Sequence, residues 1–123
     1  MLNEVIENTE RFIASVPKAK RKKYGQFFTN STTAKFMASL FCFDLSKQKR
    51  EILDAGAGTG ILAAAVVQKL YELGYMGKIY VTCYETDELV MPLLEENMAL
   101  CNKLHNVSYT IKRENYVTSQ NFS

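Results

Sequence analysis

Residues 54–60 have the composition of a turn that can hold a nucleotide-like ligand. They read Asp54, Ala55, Gly56, Ala57, Gly58, Thr59 and Gly60, so glycine occupies every second position from residue 56. Glycine adopts positive φ angles without steric cost, and because it has no Cβ a ligand can approach the backbone closely. Amides at the start of the helix that follows would point toward such a ligand. The alternative is an ordinary tight turn.

A carboxylate that could hold a ribose, Glu85, lies at the end of the next predicted strand. Ligands of open α/β sheets bind outside the carboxyl ends of the strands. A carboxylate there can accept hydrogen bonds from both ribose hydroxyls. The alternative is that residues 85–87 only cap the following helix. Because Asp87 alone could cap that helix, we expect Glu85 to be free for the ribose.

The spacing and charge of the glycine turn distinguish between two kinds of nucleotide cofactor. Turns that bind dinucleotides have G-x-G-x-x-G spacing and bring a pyrophosphate to the helix N-terminus. Here the spacing is G-x-G-x-G, and Asp54 precedes it. A carboxylate would repel a pyrophosphate and attract a cation such as the α-amino group of S-adenosylmethionine. We therefore expect S-adenosylmethionine, with a dinucleotide as the weaker alternative.

The elements predicted around these residues alternate between strands and helices. Strands are predicted at 51–55, 78–84 and 107–112, and helices at about 59–73 and from Met91 to about 103. Helical crossovers of this length imply a parallel sheet. The predicted fold class is therefore α/β, with about three parallel strands forming half of a doubly wound sheet in residues 46–123.

Residues 1–45 are predicted to form an N-terminal helical segment. A first amphipathic helix ends at Pro17, and a second helix begins at a cap within residues 30–32. Between them lie a basic run, residues 18–23, and an aromatic-rich loop, residues 24–30. The apolar face of the second helix is predicted to include four residues, Phe36, Met37, Leu40 and Phe41.

Composition limits the class of protein. The chain has 123 residues, 47% of them apolar and 23% charged, and a net charge of +2, which is ordinary for one globular domain. It has no apolar run long enough to cross a membrane and no signal peptide at its start. Cys42, Cys83 and Cys101 fit neither a disulfide framework nor a metal site. We expect packing cysteines, no metal, no membrane partner and a cytoplasmic location.

Taken together, these motifs resemble the class I S-adenosylmethionine-dependent methyltransferases, which have a Rossmann-like fold. Residues 54–60 look like motif I, and the segment Tyr84-Glu85-Thr86-Asp87 looks like acidic motif II. The segment Gly25-Gln26-Phe27-Phe28-Thr29 is similar to motif X of the amino-DNA methyltransferases. Its place before motif I is that of the N6-adenine group in restriction-modification systems. The resemblance covers about residues 18–117 and implies site-specific methylation of adenine N6 in DNA.

The resemblance also implies roles for individual residues. Four residues of the motif X segment, Gln26, Phe27, Phe28 and Thr29, would wall the methionine end of the cofactor. Asp54 and the backbone of Ala55 and Gly56 would hold its amino acid moiety. Glu85 would hold the ribose, and Thr86 would flank the adenine. The alternative for the phenylalanine pair is core packing.

After the third strand, the family has an acidic or amide residue followed by an aromatic, which contacts the adenine of the cofactor. By spacing we align Asn115 and Tyr116 with this pair, with Glu114 as the other candidate. Asn115 could still accept a hydrogen bond from the adenine amino group through its side-chain carbonyl. The alternative is a polar strand end without a ligand.

The family's catalytic motif, Asn or Asp followed by Pro-Pro and an aromatic, is absent, since the prolines are Pro17 and Pro92. We therefore assign no catalytic residue and expect a fragment that binds cofactor but does not methylate DNA by itself. Residues 18–23 could contact DNA phosphates in the full protein, or form a solvated helix end. An RNA or protein methyltransferase, or a non-catalytic cofactor-binding module, stays open as an alternative.

Overall fold

A computed structural model describes residues 1–27, 30–39, 45–104 and 106–119, without the side chains of residues 22, 23 and 25–27. The helices of the described residues are α1 (Leu2–Ser15), α2 (Lys18–Phe27), α3 (Ser31–Ser39), α4 (Ile61–Glu72), α5 (Met91–Asn102) and α6 (Tyr116–Ser119). The strands are β1 (Lys49–Ala55), β2 (Lys78–Tyr84) and β3 (Val107–Lys112). The predicted alternation from residue 50 onward is confirmed.

The three strands form one parallel sheet in the order β1-β2-β3. Ala55 lies opposite Tyr84, and Tyr84 lies opposite Lys112, so the three strands end at the same edge of the sheet. The predicted α/β half-sheet is therefore confirmed. Because β1 and β2 lead directly into the segments that carry the candidate residues, the register brings those segments together.

The core lies between one face of the sheet and the helices. The side chains of β2 that point toward the helices, Ile79, Val81 and Cys83, are fully buried. They meet Leu94 and Met98 of α5 in the same apolar cluster. Helix α1 packs against both α4 and α5, so the N-terminal helix belongs to the same core as the sheet.

Helix α3 turns a different face to the core than its sequence predicts. Phe36 is 63% exposed and Met37 is 39% exposed, whereas Ala34 and Ala38 are buried against α4. The predicted apolar face is therefore wrong at Phe36 and Met37, and Leu40 and Phe41 lie outside the described residues. Two alanines one turn apart let the helix backbones approach closely, which the bulkier residues would prevent.

Helix α2 continues to Phe27, although a loop was predicted from residue 24. It begins directly after Pro17, whose carbonyl accepts the amides of Lys20 and Arg21 at 2.8 and 3.0 Å. Tyr24 holds the later part of the helix, because its buried ring packs edge-on against Phe12 with 5.5 Å between the ring centres. Tertiary packing thus extends a helix through residues that have the composition of a loop.

Local signals elsewhere predict the structure well. Asn30 caps α3 through a 2.8 Å bond from the Thr33 amide to its side-chain oxygen. Gly74 ends α4 with a φ of 79°, and Pro92 lies in the first turn of α5. Within the described residues, no helix is both long and apolar enough to cross a membrane.

Candidate cofactor site

The glycine turn joins β1 to α4 and has the conformation that its sequence predicts. Gly56, Gly58 and Gly60 have φ angles of 74°, 58° and 83°, a region that other residues rarely adopt. A Cβ on Gly56 would meet nothing within 4 Å, whereas one on Gly60 would lie 2.6 Å from the terminal methyl of Met98. Gly56 therefore keeps the approach to the turn open, and Gly60 lets α5 pack directly on it.

Backbone hydrogen bonds fasten this turn to the end of β2. The amides of Gly56 and Ala57 both donate to the carbonyl of Tyr84, at 2.8 and 2.9 Å. The next amide, that of Gly58, donates to Oε1 of Glu85 at 2.6 Å. The turn and Glu85 are thus parts of one hydrogen-bonded unit at the carboxyl edge of the sheet.

The carboxylate of Glu85 is already bound by backbone amides. Besides Gly58 at Oε1, the amides of Thr86 and Asp87 donate to its Oε2, each at 3.0 Å. Glu85, which was predicted to be free for a ribose, is thus engaged by three amides within the chain. A carboxylate offers about four acceptor positions, so these three bonds leave about one for a further donor.

Asp87 accepts a hydrogen bond close to the start of the helix that it was expected to cap. Its Oδ1 accepts the amide of Leu89 at 2.9 Å, in the turn that precedes α5. The N-cap residue of α5 is Val90, and it makes no side-chain capping bond. Asp87 therefore stabilises the approach to the helix rather than the first turn of the helix itself.

The carboxylate of Asp54 has one buried oxygen that this structure leaves unsatisfied. Its Oδ2 is buried and has no hydrogen-bond partner among the described residues. Burial, and to a lesser extent the charge of Glu85, raise the pKa of Asp54 from 3.8 to about 6. At neutral pH the group is still mostly ionised. A buried carboxylate without a partner is unfavourable by itself and suited to a cationic ligand.

The charge of Asp54 contributes to the raised pKa of its neighbour in the sheet. Cys83 lies opposite Asp54 in the register of β1 and β2. Burial, followed by the charge of Asp54, raises the pKa of the Cys83 thiol to about 12. Cys83 and Cys101 are free and buried, as expected for packing cysteines, and Cys42 lies outside the described residues.

A cavity of about 220 Å³ opens beside the turn at the carboxyl edge of the sheet. Its lining comes from the ends of all three strands, namely Ala55, Gly56, Tyr84, Glu85, Thr86, Glu114, Asn115, Tyr116 and Val117. The structure therefore brings the residues predicted after β1, β2 and β3 to one place. Gly58 and Gly60 lie in the adjoining turn rather than in the lining.

Asn115 has a structural role that the sequence does not reveal. Its Oδ1 accepts the amides of Val117 and Thr118 at 2.9 and 3.3 Å and so caps α6. The oxygen that was predicted to accept a bond from an adenine amino group is therefore engaged within the chain. The side-chain NH₂ of Asn115 is a donor, and Glu114 beside it carries an exposed carboxylate on the same cavity.

Two aromatic residues close one side of the cavity. Tyr84, the last residue of β2, is buried, and its ring meets that of Tyr116 edge-on, with 5.0 Å between centres. Lys112 places its Nζ 5.4 Å from the centre of the Tyr84 ring. Tyr84 was not predicted as a site residue, and its only signal is its position directly before Glu85.

The N-terminal segment reaches the site through Tyr24. Burial, followed by the nearby carboxylate of Asp87, raises the pKa of its phenol. Tyr24 thus places the last turn of α2 next to the loop that carries Glu85. Of the predicted wall residues, Gln26 and Phe27 belong to α2 with their side chains outside the described part, and Phe28 and Thr29 lie wholly outside it.

Other candidate features lie apart from this site. A larger cavity of about 1120 Å³ lies at the opposite, amino-terminal end of the sheet, and it contains none of the predicted site residues. Among the described residues no group of three or more His, Cys, Asp or Glu side chains could hold a metal ion. In the basic run, Arg21 donates to the carbonyls of Ala14 and Val16 at the end of α1.

A family model and two relatives among known proteins point to the same family. The family model described as N-6 DNA Methylase matches residues 5–123. Type II methyltransferase M.BsuBI of Bacillus subtilis is 37% identical over 101 residues, which are 80% of this chain and 20% of that protein. Type II methyltransferase M.PstI of Providencia stuartii is 35% identical over 102 residues, 83% of this chain and 19% of that protein.

A third relative is named for a different activity. The protein-lysine N-methyltransferase EFM3 of Saccharomyces cerevisiae is 36% identical over 69 residues, which are 56% of this chain and 20% of that protein. The chain thus spans about a fifth of the length of the relatives it matches. The family match covers nearly the whole chain and includes the glycine turn, the Glu85 loop and the cavity, so the chain belongs to the N-6 DNA methylase family.

Proposed function

We propose that this chain is the S-adenosylmethionine-binding, N-terminal portion of a site-specific DNA adenine-N6 methyltransferase of a restriction-modification system. Family membership and the two Type II relatives support the reaction class. The observation that carries the cofactor assignment is the unpaired, buried Oδ2 of Asp54 next to the glycine turn.

The residues at the sheet edge fit this cofactor in charge and shape. Asp54 would hold the α-amino group, since a cation would relieve both the missing hydrogen bond and the repulsion from Glu85. The open side of Gly56 would let the amino acid moiety lie against the backbone of Ala55 and Gly56. When bound, S-adenosylmethionine supplies an electrophilic methyl group on a sulfonium.

The other end of the cofactor would occupy the cavity of about 220 Å³. Glu85 would accept one ribose hydroxyl at its remaining acceptor position, and a second bond would require one of the three amides to be released. Thr86, Asn115 and Tyr116 would surround the adenine. The proposed wall around the thioether consists of Gln26, Phe27, Phe28 and Thr29.

Adenine in DNA is the proposed methyl acceptor of the whole protein. We assign no catalytic residue within this chain, and we expect the chain alone to bind cofactor without transferring the methyl group. The basic residues 18–23 are proposed to contact DNA phosphates in the whole protein. The proposed location is the cytoplasm, where free thiols such as those of Cys83 and Cys101 stay reduced.

A protein-lysine acceptor is the second candidate, and the similarity to the yeast relative favours it. The same cofactor half could serve either acceptor, so the acceptor must be tested on the whole protein. Incubation with radioactive S-adenosylmethionine and either duplex DNA or a lysine-rich protein extract separates the two. Label in N6-methyladenine supports the proposal, and label only in protein would replace it with the second candidate.

The cofactor assignment is tested on the chain itself by titration calorimetry with S-adenosylmethionine and with NAD. We expect heat of binding with the first compound and none with the second. Asp54→Ala should weaken binding, while Glu51→Ala removes an exposed carboxylate from the same strand and should leave it unchanged. Binding of NAD alone would overturn the assignment.

A further inference from the structure

Three fully buried polar residues from distant parts of the chain meet behind the glycine turn. Thr9 of α1, Thr59 of the turn and Asn97 of α5 are only 3%, 1% and 0% exposed. Burying polar groups is unfavourable unless each of them finds a partner. A core that needed only apolar packing would have no use for them, so their mutual bonds call for an explanation.

The two hydroxyls have one possible arrangement of protons. The Thr9 oxygen lies 2.8 Å from the carbonyl of Val5 and 3.0 Å from Oγ1 of Thr59. A hydroxyl has a single proton and a carbonyl can only accept. Thr9 therefore donates to Val5, and Thr59 donates to Thr9. The side chain of Thr59 is tied to the backbone of α1 through one intermediate hydroxyl.

The main chain of Thr59 is held from the other side. The side-chain Nδ2 of Asn97 donates to the carbonyl of Thr59 at 2.8 Å. The Oδ1 of Asn97 in turn accepts a bond of 3.1 Å from Nδ2 of Asn8, also in α1. Both the side chain and the carbonyl of Thr59 are thus fixed, and α1 contributes to both contacts.

Thr59 stands at the point of the turn where these contacts matter most. It lies between Gly58 and Gly60, which have φ angles of 58° and 83°. Its carbonyl belongs to the peptide plane that leads into Gly60, so the bond from Asn97 fixes the orientation of that plane. On the other side, the amide of Gly58 donates to Glu85. Holding Thr59 therefore holds the two glycines beside it, and with them the Gly58 amide that donates to Glu85.

We propose that Thr9 and Asn97 are positioning residues for the methyl donor, which hold the glycine turn in its binding conformation through Thr59. This inference rests on the proposed cofactor, because the ligand of the turn is taken from it. Helix α1 then acts on the site without touching the ligand. Loss of the Thr9 hydroxyl should loosen the turn and weaken binding, even where the chain remains folded.

The test compares Thr9→Val, which removes the hydroxyl at nearly constant volume, with Thr9→Ser, which retains it. Titration calorimetry with S-adenosylmethionine, at a temperature where each variant is fully folded, should show roughly three- to tenfold weaker binding for Thr9→Val. Thr9→Ser should bind like the wild type. Asn97→Leu, which removes the bond to the Thr59 carbonyl, should weaken binding in the same way.

The matched control is Ile79→Val, which trims a fully buried side chain at the opposite end of β2. It should lower the melting temperature without changing the dissociation constant. If Thr9→Val and Asn97→Leu also lower only the melting temperature, the three polar residues serve stability alone and the proposal is wrong.

A second readout does not require the cofactor to bind. The amide resonances of Gly58 and Gly60 report the conformation of the turn in a ¹⁵N–¹H spectrum. They should shift in Thr9→Val and Asn97→Leu, and stay in place in Ile79→Val. Unmoved resonances would refute the positioning role, whereas shifted resonances in a chain that never binds S-adenosylmethionine would refute the proposed cofactor instead.

Discussion

Because the carboxylate of Asp54 is buried and unsatisfied, its contribution to stability should fall as pH rises, and a variant without this charge should not show that fall. The pKa of Asp54 is about 6 in the folded chain and 3.8 as a free side chain. Between these values the folded chain keeps a proton that the unfolded chain has released. The favourable contribution is therefore complete below pH 3.8 and is lost as pH rises through about 6.

The size of this effect follows from the two pKa values. Each pKa unit corresponds to about 1.4 kcal/mol, so the full difference is about 3 kcal/mol. Between about pH 4 and pH 7, the free energy of unfolding of the wild type should fall by about 2–3 kcal/mol relative to Asp54→Asn. This comparison across pH cancels any constant effect of placing an amide at the buried position.

Urea unfolding followed by circular dichroism at several pH values measures this difference. Glu51→Gln serves as the control for loss of one negative charge from β1, because Glu51 is exposed. Parallel pH profiles for the wild type and Asp54→Asn would refute the reasoning. A further expectation is that S-adenosylmethionine binds about tenfold more weakly at pH 5 than above pH 7, because at pH 5 only about one tenth of Asp54 is ionised.

Other substitutions test the turn and its surroundings. Gly56→Ala should lower stability by about 1–2 kcal/mol because the residue has a positive φ. Gly60→Ala should lower it by about 1 kcal/mol more, because the added methyl must displace the terminal methyl of Met98. Thermal melts of the two variants measure this order. Glu85→Ala should weaken S-adenosylmethionine binding by roughly 1–3 kcal/mol, and unchanged affinity in calorimetry would remove Glu85 from the site. Arg113→Ala breaks exposed ion pairs of 3.0 and 2.9 Å to two glutamates; it should lower stability by less than about 1 kcal/mol, and a larger loss, or one that persists in high salt, would contradict a surface role.

Sequence alone predicts those parts of this fold that short-range chemistry determines. The bounds of β2 and β3, the glycine that ends α4 and the proline that opens α5 all follow from residue types within a few positions. The positive φ angles of the turn follow from its glycines. The meeting of three strand ends at one edge follows from the alternation of strands and helices, since parallel strands end together.

The parts that sequence could not give depend on residues distant along the chain. The exposed face of α3 depends on how closely α4 approaches, and the length of α2 depends on the contact between Tyr24 and Phe12. The polar cluster joins residues 50 and 38 positions apart. No periodicity or spacing connects such partners, so Thr9 reads in the sequence as an ordinary polar residue of an amphipathic helix.

The two carboxylates at the sheet edge show why local chemistry alone was insufficient at the site. In sequence, Glu85 has the more obvious ligand-binding position, yet in the fold three amides bind it. Among the described residues no group donates to the buried Oδ2 of Asp54, and the first two amides of the turn that follows donate to the carbonyl of Tyr84 instead. The unfavourable energy of a buried carboxylate oxygen without a donor therefore falls on Asp54. A cation that relieves it would gain affinity that Glu85 cannot offer, so charge recognition should depend on Asp54 more than on Glu85.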